Sequence, residues 1–402
     1  MILLKGLKSI NARYYIMAFL LFSTVPAFYV WHSVWYSFFI VILSVMLMVN
    51  ISNQGYESKS IVVTALFFLV FCIYIYRAGL NIYGAIEVLC LLPLFLLKKE
   101  SMNLLFDAFL KVYAIAMGIG IPLYILSVWL GVSLPHAEIQ PFNDAKILPY
   151  YSFSFFVTEE GVFTPFNPRF FGMFDEPGVV GTISAILLVS ERFNLRKWEN
   201  IIVLISGVLS ASLFFFLICG VYVLLESPMK AKIAVIVVAL IAVFVLYDNE
   251  LLYNIFFRRF NVEDGSLEGM NREHGDFAAF YERFRHTPEY WTGLGADAGV
   301  KANMGGSSYK QLIVSYGLIF FVVYIASYYL FALTRLRGGK KLFVYSLVLL
   351  GTMYQRPFVG TPTMTFLMIA SIYAIQNNFS SIRTKPTNRN VKSVSISNSN
   401  II

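Results

Sequence analysis

The chain has 402 residues, of which 58% are hydrophobic and only 13% charged, and its mean hydropathy is +0.69. Soluble domains average about 45–50% apolar and about 25% charged residues. The composition therefore excludes a soluble enzyme, a disordered chain, collagen and a disulfide scaffold. It predicts an all-α polytopic membrane protein.

The candidate membrane helices are apolar runs, since a helical span needs about 20 mostly apolar residues. Lys5, Lys8 and Arg13 precede the first run as in a signal anchor, and no small-residue cleavage site follows, so we expect this helix to be retained. The runs cover roughly 14–31, 34–50, 60–76, 82–97, 109–132, 178–190, 200–226, 231–247, 308–332, 342–355 and 361–376.

Basic clusters set the orientation, because cytoplasmic loops carry an excess of Lys and Arg. Eleven crossings cannot put every cluster on one side. The run at 200–226 is 27 residues long, and splitting it near Ser210–Ser212, into two short helices or a re-entrant hairpin, reconciles them all. We predict about twelve crossings with both termini cytoplasmic. The clusters are the N-terminus, Lys98-Lys99, 192–197, Lys230/Lys232, 335–341 and 383–392.

Two long loops then face outward and hold 8 of the 31 basic residues but 16 of the 23 acidic residues. The net charge of +8 is therefore cytoplasmic, and nucleic acid is excluded as the partner. The predicted segments are N-terminal membrane helices at 1–132, an outer loop at 133–177, membrane helices at 178–247, a larger outer loop at 248–307, membrane helices at 308–376 and a polar tail at 377–402 that we predict to be disordered.

Cysteine and histidine give no sign of a metal or disulfide site. Cys72, Cys90 and Cys219 lie inside apolar runs, and the four histidines are scattered without metal-ligand spacing. We predict neither a metal site nor a cofactor.

The first outer loop is rich in proline and aromatic residues, so we expect it to pack on the bundle or lie in the interface rather than to be a flexible linker. It ends in RFFGMFDEPGVVGT, where Asp175 and Glu176 should stand at a helix N-terminus with Pro177 near its first position. Two explanations are open. The carboxylates cap the helix with Arg169 as their ion-pair partner, or they form a reactive site with it at the outer face.

The second outer loop contains a predicted amphipathic helix over 271–288, with Pro288 ending it. Phe277, Phe280, Tyr281 and Phe284 fall on one face by their i, i+3, i+4, i+7 spacing. A different face carries Arg272, Asp276, Ala279, Arg283 and His286.

This charged face is either ordinary solvated surface or an anion site. The choice of Arg over Lys favours phosphate, which a guanidinium grips with two hydrogen bonds. Arg258-Arg259 add to the same site or anchor a helix end at lipid headgroups. Glycines at 292–299 and 304–309 permit close backbone approach to a ligand.

This arrangement resembles the O-antigen polymerase and ligase superfamily of bacterial inner-membrane enzymes. RFFGMFDEPG at 169–178 is similar to the family's R-x-x-G-x-x-x-E-P segment. The stretch from Arg272 to Gly295 resembles R…(helix)…P-x-x-G-x-G, and SSYKQLIVSYGLIFF at 307–321 resembles the motif that opens the next helix. The resemblance implies about a dozen helices in a GT-C-like fold with two large periplasmic loops.

The implied reaction transfers a glycan from undecaprenyl pyrophosphate to another lipid-linked repeat unit. Arg272 and Arg283, then Arg169, are the candidates for stabilising the charge on the leaving pyrophosphate. Glu176 is the first candidate for general base. The second is His274, which is alternatively an ordinary loop histidine. The remaining substrate-binding candidates are Arg285, Tyr309 and Arg356, of which Arg356 is alternatively an interface anchor.

Two other functions compete with the polymerase. A ligase joins polymer to lipid A core, but a family His-Asn pair is replaced here by Ser307-Ser308. A flippase usually has several ionisable residues at mid-membrane, whereas Glu87 is the one clear case here. The sequence favours the polymerase, with lipid-linked oligosaccharides and membrane lipid as partners. The resemblance also implies a chain-length regulator.

Overall fold

The chain is mainly helical in the computed structural model, which describes residues 12–77, 91–142, 148–161, 166–230, 232–233, 235–237, 240, 262–263, 266–267, 275–295, 309–355 and 361–378. Its α-helices there are α1 (Ala12–Thr24), α2 (Trp35–Gln54), α3 (Ile61–Arg77), α4 (Lys99–Tyr124), α5 (Pro177–Ser190), α6 (Trp198–Leu209), α7 (Leu213–Glu226), α8 (Gly275–Phe284), α9 (Glu289–Thr292), α10 (Tyr309–Leu333), α11 (Gly339–Gln355) and α12 (Pro362–Asn378).

Short strands occur only in the two predicted outer loops of this described part. In the first loop β1 (Ala137–Ile139), β2 (Tyr150–Ser152) and β3 (Val157–Glu159) form an antiparallel sheet in that order. In the second, β4 (Val262–Glu263) pairs with β5 (Ser266–Leu267). These strands are an addition to the all-α prediction.

Among the residues that the structure describes, four helices are long and apolar enough to cross a membrane, namely Trp35–Gln54, Ser58–Arg77, Lys99–Trp129 and Tyr309–Leu333. Their outward faces are apolar as well: Val62 and Leu69 on α3 are 79% and 60% exposed. A soluble protein rarely exposes large contiguous apolar surface. A mainly helical membrane protein is therefore confirmed.

Helices α5 and α12 form the centre of the bundle. Every residue of α5 is buried, and so is α12 from Pro362 to Ile375. A helix that is apolar on all sides is expected in such a position. Because both helices are enclosed by the others, their ends are fixed by surrounding protein.

The apolar run at 200–226 is split, as predicted, into α6 and α7, with Ala211 between them in the left-handed region at φ +46°. Near this break Ser212 lies against Gly181, in the second turn of α5. At the other end of α5 the Phe193 ring stacks on Tyr222 of α7, with centroids 5.4 Å apart. Helix α7 therefore returns to the end of the bundle from which α6 began.

Several predicted basic clusters converge at one end of the bundle, called here the basic end. Arg192 donates to the Asn378 carbonyl at 2.9 Å, Lys197 pairs with the buried Glu191 at 2.7 Å, and Lys340 pairs with Glu226 at 3.0 Å. Although burial disfavours the charged form of Lys197, the Glu191 carboxylate raises its pKa.

Arg335 belongs to the same end and joins three helices. Its Nε donates to the Tyr373 hydroxyl at 2.8 Å, and Nη2 donates to the hydroxyl of Ser60, just before α3. Its guanidinium also lies 3.6 Å from the ring centroid of Phe331, which is cation–π geometry. The ends of α10, α12 and α3 therefore meet here.

The three-stranded sheet packs on the opposite end of the bundle, called here the loop end. Tyr150 and Val157 form a buried cluster with Trp31 and Phe171. The backbone of Phe28 pairs with the Met173 carbonyl at 2.9 Å. Of the two alternatives for the first loop, the structure shows packing on the bundle.

Candidate functional site

The carboxylates of the DEP segment stand at the N-terminus of α5, as predicted, with Pro177 in the first helical position. Glu176 occupies the N-cap with extended backbone (φ −150°, ψ 140°), and its side chain makes no capping hydrogen bond. Asp175 and Glu176 are both half-buried. A capping hydrogen bond therefore does not account for the position of the Glu176 carboxylate at the loop end.

Arg169 fixes the break between α6 and α7. Its Nε donates to the Ser210 carbonyl at 3.1 Å and its Nη2 to the Ala211 carbonyl at 3.3 Å. The last carbonyls of a helix have no partner within the helix, so these bonds satisfy groups that the break leaves open. The predicted site residue thus also has a structural role beside the start of α5.

A third carboxylate, which sequence reasoning missed, joins this cluster. The Tyr150 hydroxyl donates to Glu159 Oε2 at 3.0 Å and lies 2.9 Å from the Asp175 carbonyl oxygen. On the other side, Asn167 Nδ2 donates to Glu159 Oε1 at 2.9 Å. Burial, and then the carboxylates of Glu159, Asp175 and Glu176, raise the pKa of the Tyr150 hydroxyl far above its ordinary value. Tyr150 therefore stays a hydrogen-bond donor.

The register of the sheet brings Glu159 next to the start of α5, because Glu159 lies opposite Tyr150 in the β2–β3 pair. Strands of three residues carry no periodic signal from which that pairing could have been read. We call Glu159, Asp175 and Glu176 the carboxylate cluster.

The amphipathic helix of the second loop is confirmed as α8. Phe277, Tyr281 and Phe284 are buried against Ile313 and Val314 of α10. The helix ends at Phe284, four residues earlier than predicted. Pro288 instead precedes α9 as its N-cap.

The charged face of α8 is open to solvent. Arg283, Arg285 and His286 are exposed, and Arg285 pairs with Glu282 at 3.1 Å. Arg283 is therefore accessible to a ligand, while Arg285, just past the end of α8, already has Glu282 as an acidic partner. The predicted Arg272, His274 and Arg356 lie outside the described residues.

Tyr309 is the first residue of α10, and its ring lies beside two other aromatic rings. Its centroid lies 5.8 Å from that of Phe321 and 6.0 Å from that of Tyr354, at the end of α11. The ammonium of Lys310 lies 5.1 Å from the centroid of Tyr281 on α8. The first turn of α10 is therefore joined to both α8 and α11.

Helix α11 links the two groups of predicted residues at the loop end. One turn before Tyr354, Gly351 lies against Phe214 and Ile218 of α7. The first turn of α7 follows the break that Arg169 holds. The structure therefore places Arg169 at the break between α6 and α7 and Glu176 at the start of α5, whose second turn lies against that break. Arg283, Arg285 and Tyr309 lie on a neighbouring unit.

Within the described part of the chain no group of three or more His, Cys, Asp or Glu side chains is arranged to hold a metal ion. Comparison of the chain with protein-family models, with curated proteins and with solved structures finds no match.

Proposed function

We propose that the chain crosses the bacterial inner membrane about twelve times, in a GT-C-like arrangement with both termini in the cytoplasm. The convergence of basic residues at one end of the bundle supports this orientation, since positive charge collects on the cytoplasmic side. The split of 200–226 into α6 and α7 supplies the extra crossing that the charge pattern requires. The loop end then faces the periplasm.

We propose further that the protein is an O-antigen polymerase, which transfers a growing glycan from undecaprenyl pyrophosphate to a lipid-linked repeat unit. One observation carries the proposal: the half-buried carboxylate of Glu176 stands at the N-terminus of α5, whose second turn lies against the helix break held by Arg169. A base and a cation at the membrane surface suit a reaction between two lipid-anchored substrates.

In the proposed reaction a hydroxyl of the acceptor sugar attacks the anomeric carbon of the donor glycan. Glu176 takes the hydroxyl proton as the new glycosidic bond forms. The bond from the anomeric carbon to the pyrophosphate oxygen breaks, and undecaprenyl pyrophosphate leaves with the bonding electrons. Arg283, with Arg272 and Arg169, stabilises the negative charge that develops on this leaving group.

A gel of surface lipopolysaccharide from a strain lacking the chain tests this function. A polymerase defect leaves single repeat units on core lipid and removes the long ladder. Loss of all repeats, with accumulation of lipid-linked polymer, would instead show a ligase. Loss of all repeats with accumulation of single lipid-linked units would show a flippase. Either of these results refutes the polymerase.

A further inference from the structure

Helix α10 is broken at Gly317, whose backbone is non-helical (φ 89°, ψ 159°). A regular helix would bond the carbonyls of Val314 and Ser315 to amides four residues on. Here they accept instead from the amides of Leu294 and Gly295, at 2.8 and 2.9 Å. Irregular backbone within an apolar span is tolerated where other protein groups satisfy it. The segment after α9 therefore donates the hydrogen bonds that these two carbonyls lack because of the break.

The contact between the two backbones is reciprocal and leaves no room for a side chain. A Cβ on Gly293 would lie 2.6 Å from the carbonyl carbon of Tyr316 and 2.7 Å from the Gly317 nitrogen. A Cβ on Gly317 would lie 2.6 Å from the carbonyl carbon of Thr292. The backbone at each glycine therefore occupies the space that a side chain on the other glycine would need. We call this contact the glycine joint.

Both glycines also have dihedral angles that other residues avoid. Gly293 has φ 80° and ψ 165°, close to the values of Gly317. This region of positive φ and extended ψ is essentially restricted to glycine. Both the available space and the backbone conformation therefore require glycine at positions 293 and 317.

The joint stands next to the surface on which α8 docks. Ile313 and Val314 contact the aromatic face of α8, and the Val314 carbonyl is one of the two that the joint engages. Helix α9, which leads from α8 to Gly293, packs along α10 as well. Helix α8 is therefore held over the loop end at two places, namely its aromatic face and the α9 segment that follows it.

We propose that Gly293 and Gly317 are positioning residues, which hold α8 so that Arg283 meets the pyrophosphate of the lipid-linked substrate. The role of Arg283 in this statement rests on the proposed function, while the docking of α8 does not. The sequence suggested that Gly293 allows a ligand to approach the backbone; here Gly293 and Gly317 instead allow two backbones to approach each other. They act on the substrate through the helix that the contact holds.

The docking is tested by trypsin cleavage after Arg283 and Arg285 in the purified full-length protein. In Gly317→Ala and Gly293→Ala we expect cleavage at these sites to accelerate about tenfold or more, because strain at the joint increases local opening of α8. Gly338→Ala is the matched control: Gly338 also has positive φ (+101°), but apart from its chain neighbours no described residue has an atom within 4 Å of its Cβ position. Unchanged cleavage in both joint variants would overturn the proposal.

The positioning role is tested by kinetics with lipid-linked oligosaccharide, using equal amounts of folded protein. The donor pyrophosphate is already charged when the substrate binds, so Arg283 contacts it before the reaction as well as during it. We therefore expect both joint variants to raise KM about tenfold, as for weakening of one charge-assisted contact to bound substrate. A merely structural defect lowers the active fraction and leaves KM unchanged, and that result would overturn the positioning role. If the wild-type protein makes no polymer, the proposed function fails, and the trypsin rates still decide whether the joint holds α8.

Discussion

The Tyr150 hydroxyl donates to Glu159 across the β2–β3 pair, and the same hydroxyl lies 2.9 Å from the carbonyl oxygen of Asp175. One buried phenol thus ties the first outer loop to the residue pair that opens α5. The phenol is surrounded by hydrogen-bond acceptors, so it is stable only while it keeps its proton. Its ionisation would place a fourth negative charge near the three carboxylates.

The stability of the protein should therefore fall at high pH in a way that depends on Tyr150. Its pKa is raised in the folded state, so its contribution is complete below the ordinary tyrosine pKa of about 10 and is lost as pH rises above that value. Thermal unfolding between pH 8 and 11 should show a smaller loss for Tyr150→Phe than for the wild type. An identical pH profile for the two proteins would contradict this assignment.

Glu176→Gln should reduce polymerisation about 10²–10⁴-fold, the usual contribution of a general base, without changing the amount of protein in the membrane. The measurement is polymer formation from lipid-linked units by purified protein. Glu160→Gln is a suitable control, since Glu160 is an exposed carboxylate of the same loop. Full activity of Glu176→Gln would remove the residue from the mechanism.

Arg283→Ala should shorten or abolish the polymer ladder, and Arg283→Lys should restore little, because an ammonium cannot form the paired hydrogen bonds of a guanidinium. Arg196→Ala changes an equally exposed arginine at the basic end and should leave the ladder intact. A normal ladder from Arg283→Ala, at normal protein level, would argue against a phosphate site on α8.

Arg335→Lys should destabilise the protein by about 1–3 kcal/mol, because a single ammonium cannot replace both the charge-assisted hydrogen bonds and the stacking on Phe331. The change is measured as a lower midpoint of thermal unfolding in detergent. Arg337→Lys, two residues further on at an exposed position, should unfold like the wild type. Equal midpoints for both variants would show that the contacts of Arg335 contribute little.

An epitope tag inserted after Lys230 should be protected from protease added to spheroplasts, whereas a tag after Gly131 should be digested. Lys230 follows α7 at the end where Glu226 pairs with Lys340. Gly131 precedes the sheet of the loop end, and in the described part of the chain only its own neighbours in sequence come within 4 Å of its Cβ position. Digestion of the Lys230 tag from the periplasm would refute the proposed topology.

Features that arise from local periodicity or from charge counting could be predicted from the sequence. The aromatic face of α8 follows from the spacing of Phe277, Tyr281 and Phe284. The break at Ser210–Ser212 follows from the need to place every basic cluster on one side. Both depend on residues within one segment or on a sum over the chain.

Contacts between distant segments could not be predicted in this way. The pairing of Tyr150 with Glu159 depends on a register that three-residue strands do not specify. Gly293 lies in a glycine-rich segment that suggested approach to a ligand, and Gly317 lies in the motif that opens the next helix. Only the fold shows that these two glycines accommodate each other. The contacts of Arg169 at the helix break could not be predicted either. Every residue has a backbone carbonyl, so the sequence does not show which carbonyls accept a hydrogen bond from a distant side chain.

The shortness of α5 has a consequence for where the proposed reaction would take place. Its 14 residues rise about 21 Å, whereas the hydrocarbon core of a bilayer is about 30 Å thick. If the basic end lies at the cytoplasmic headgroups, as we propose, the helix begins about 9 Å below the opposite headgroups. Glu176 would then sit in a recess beneath the membrane surface, and a sugar pyrophosphate could reach it while its polyprenyl tail stays dissolved in lipid.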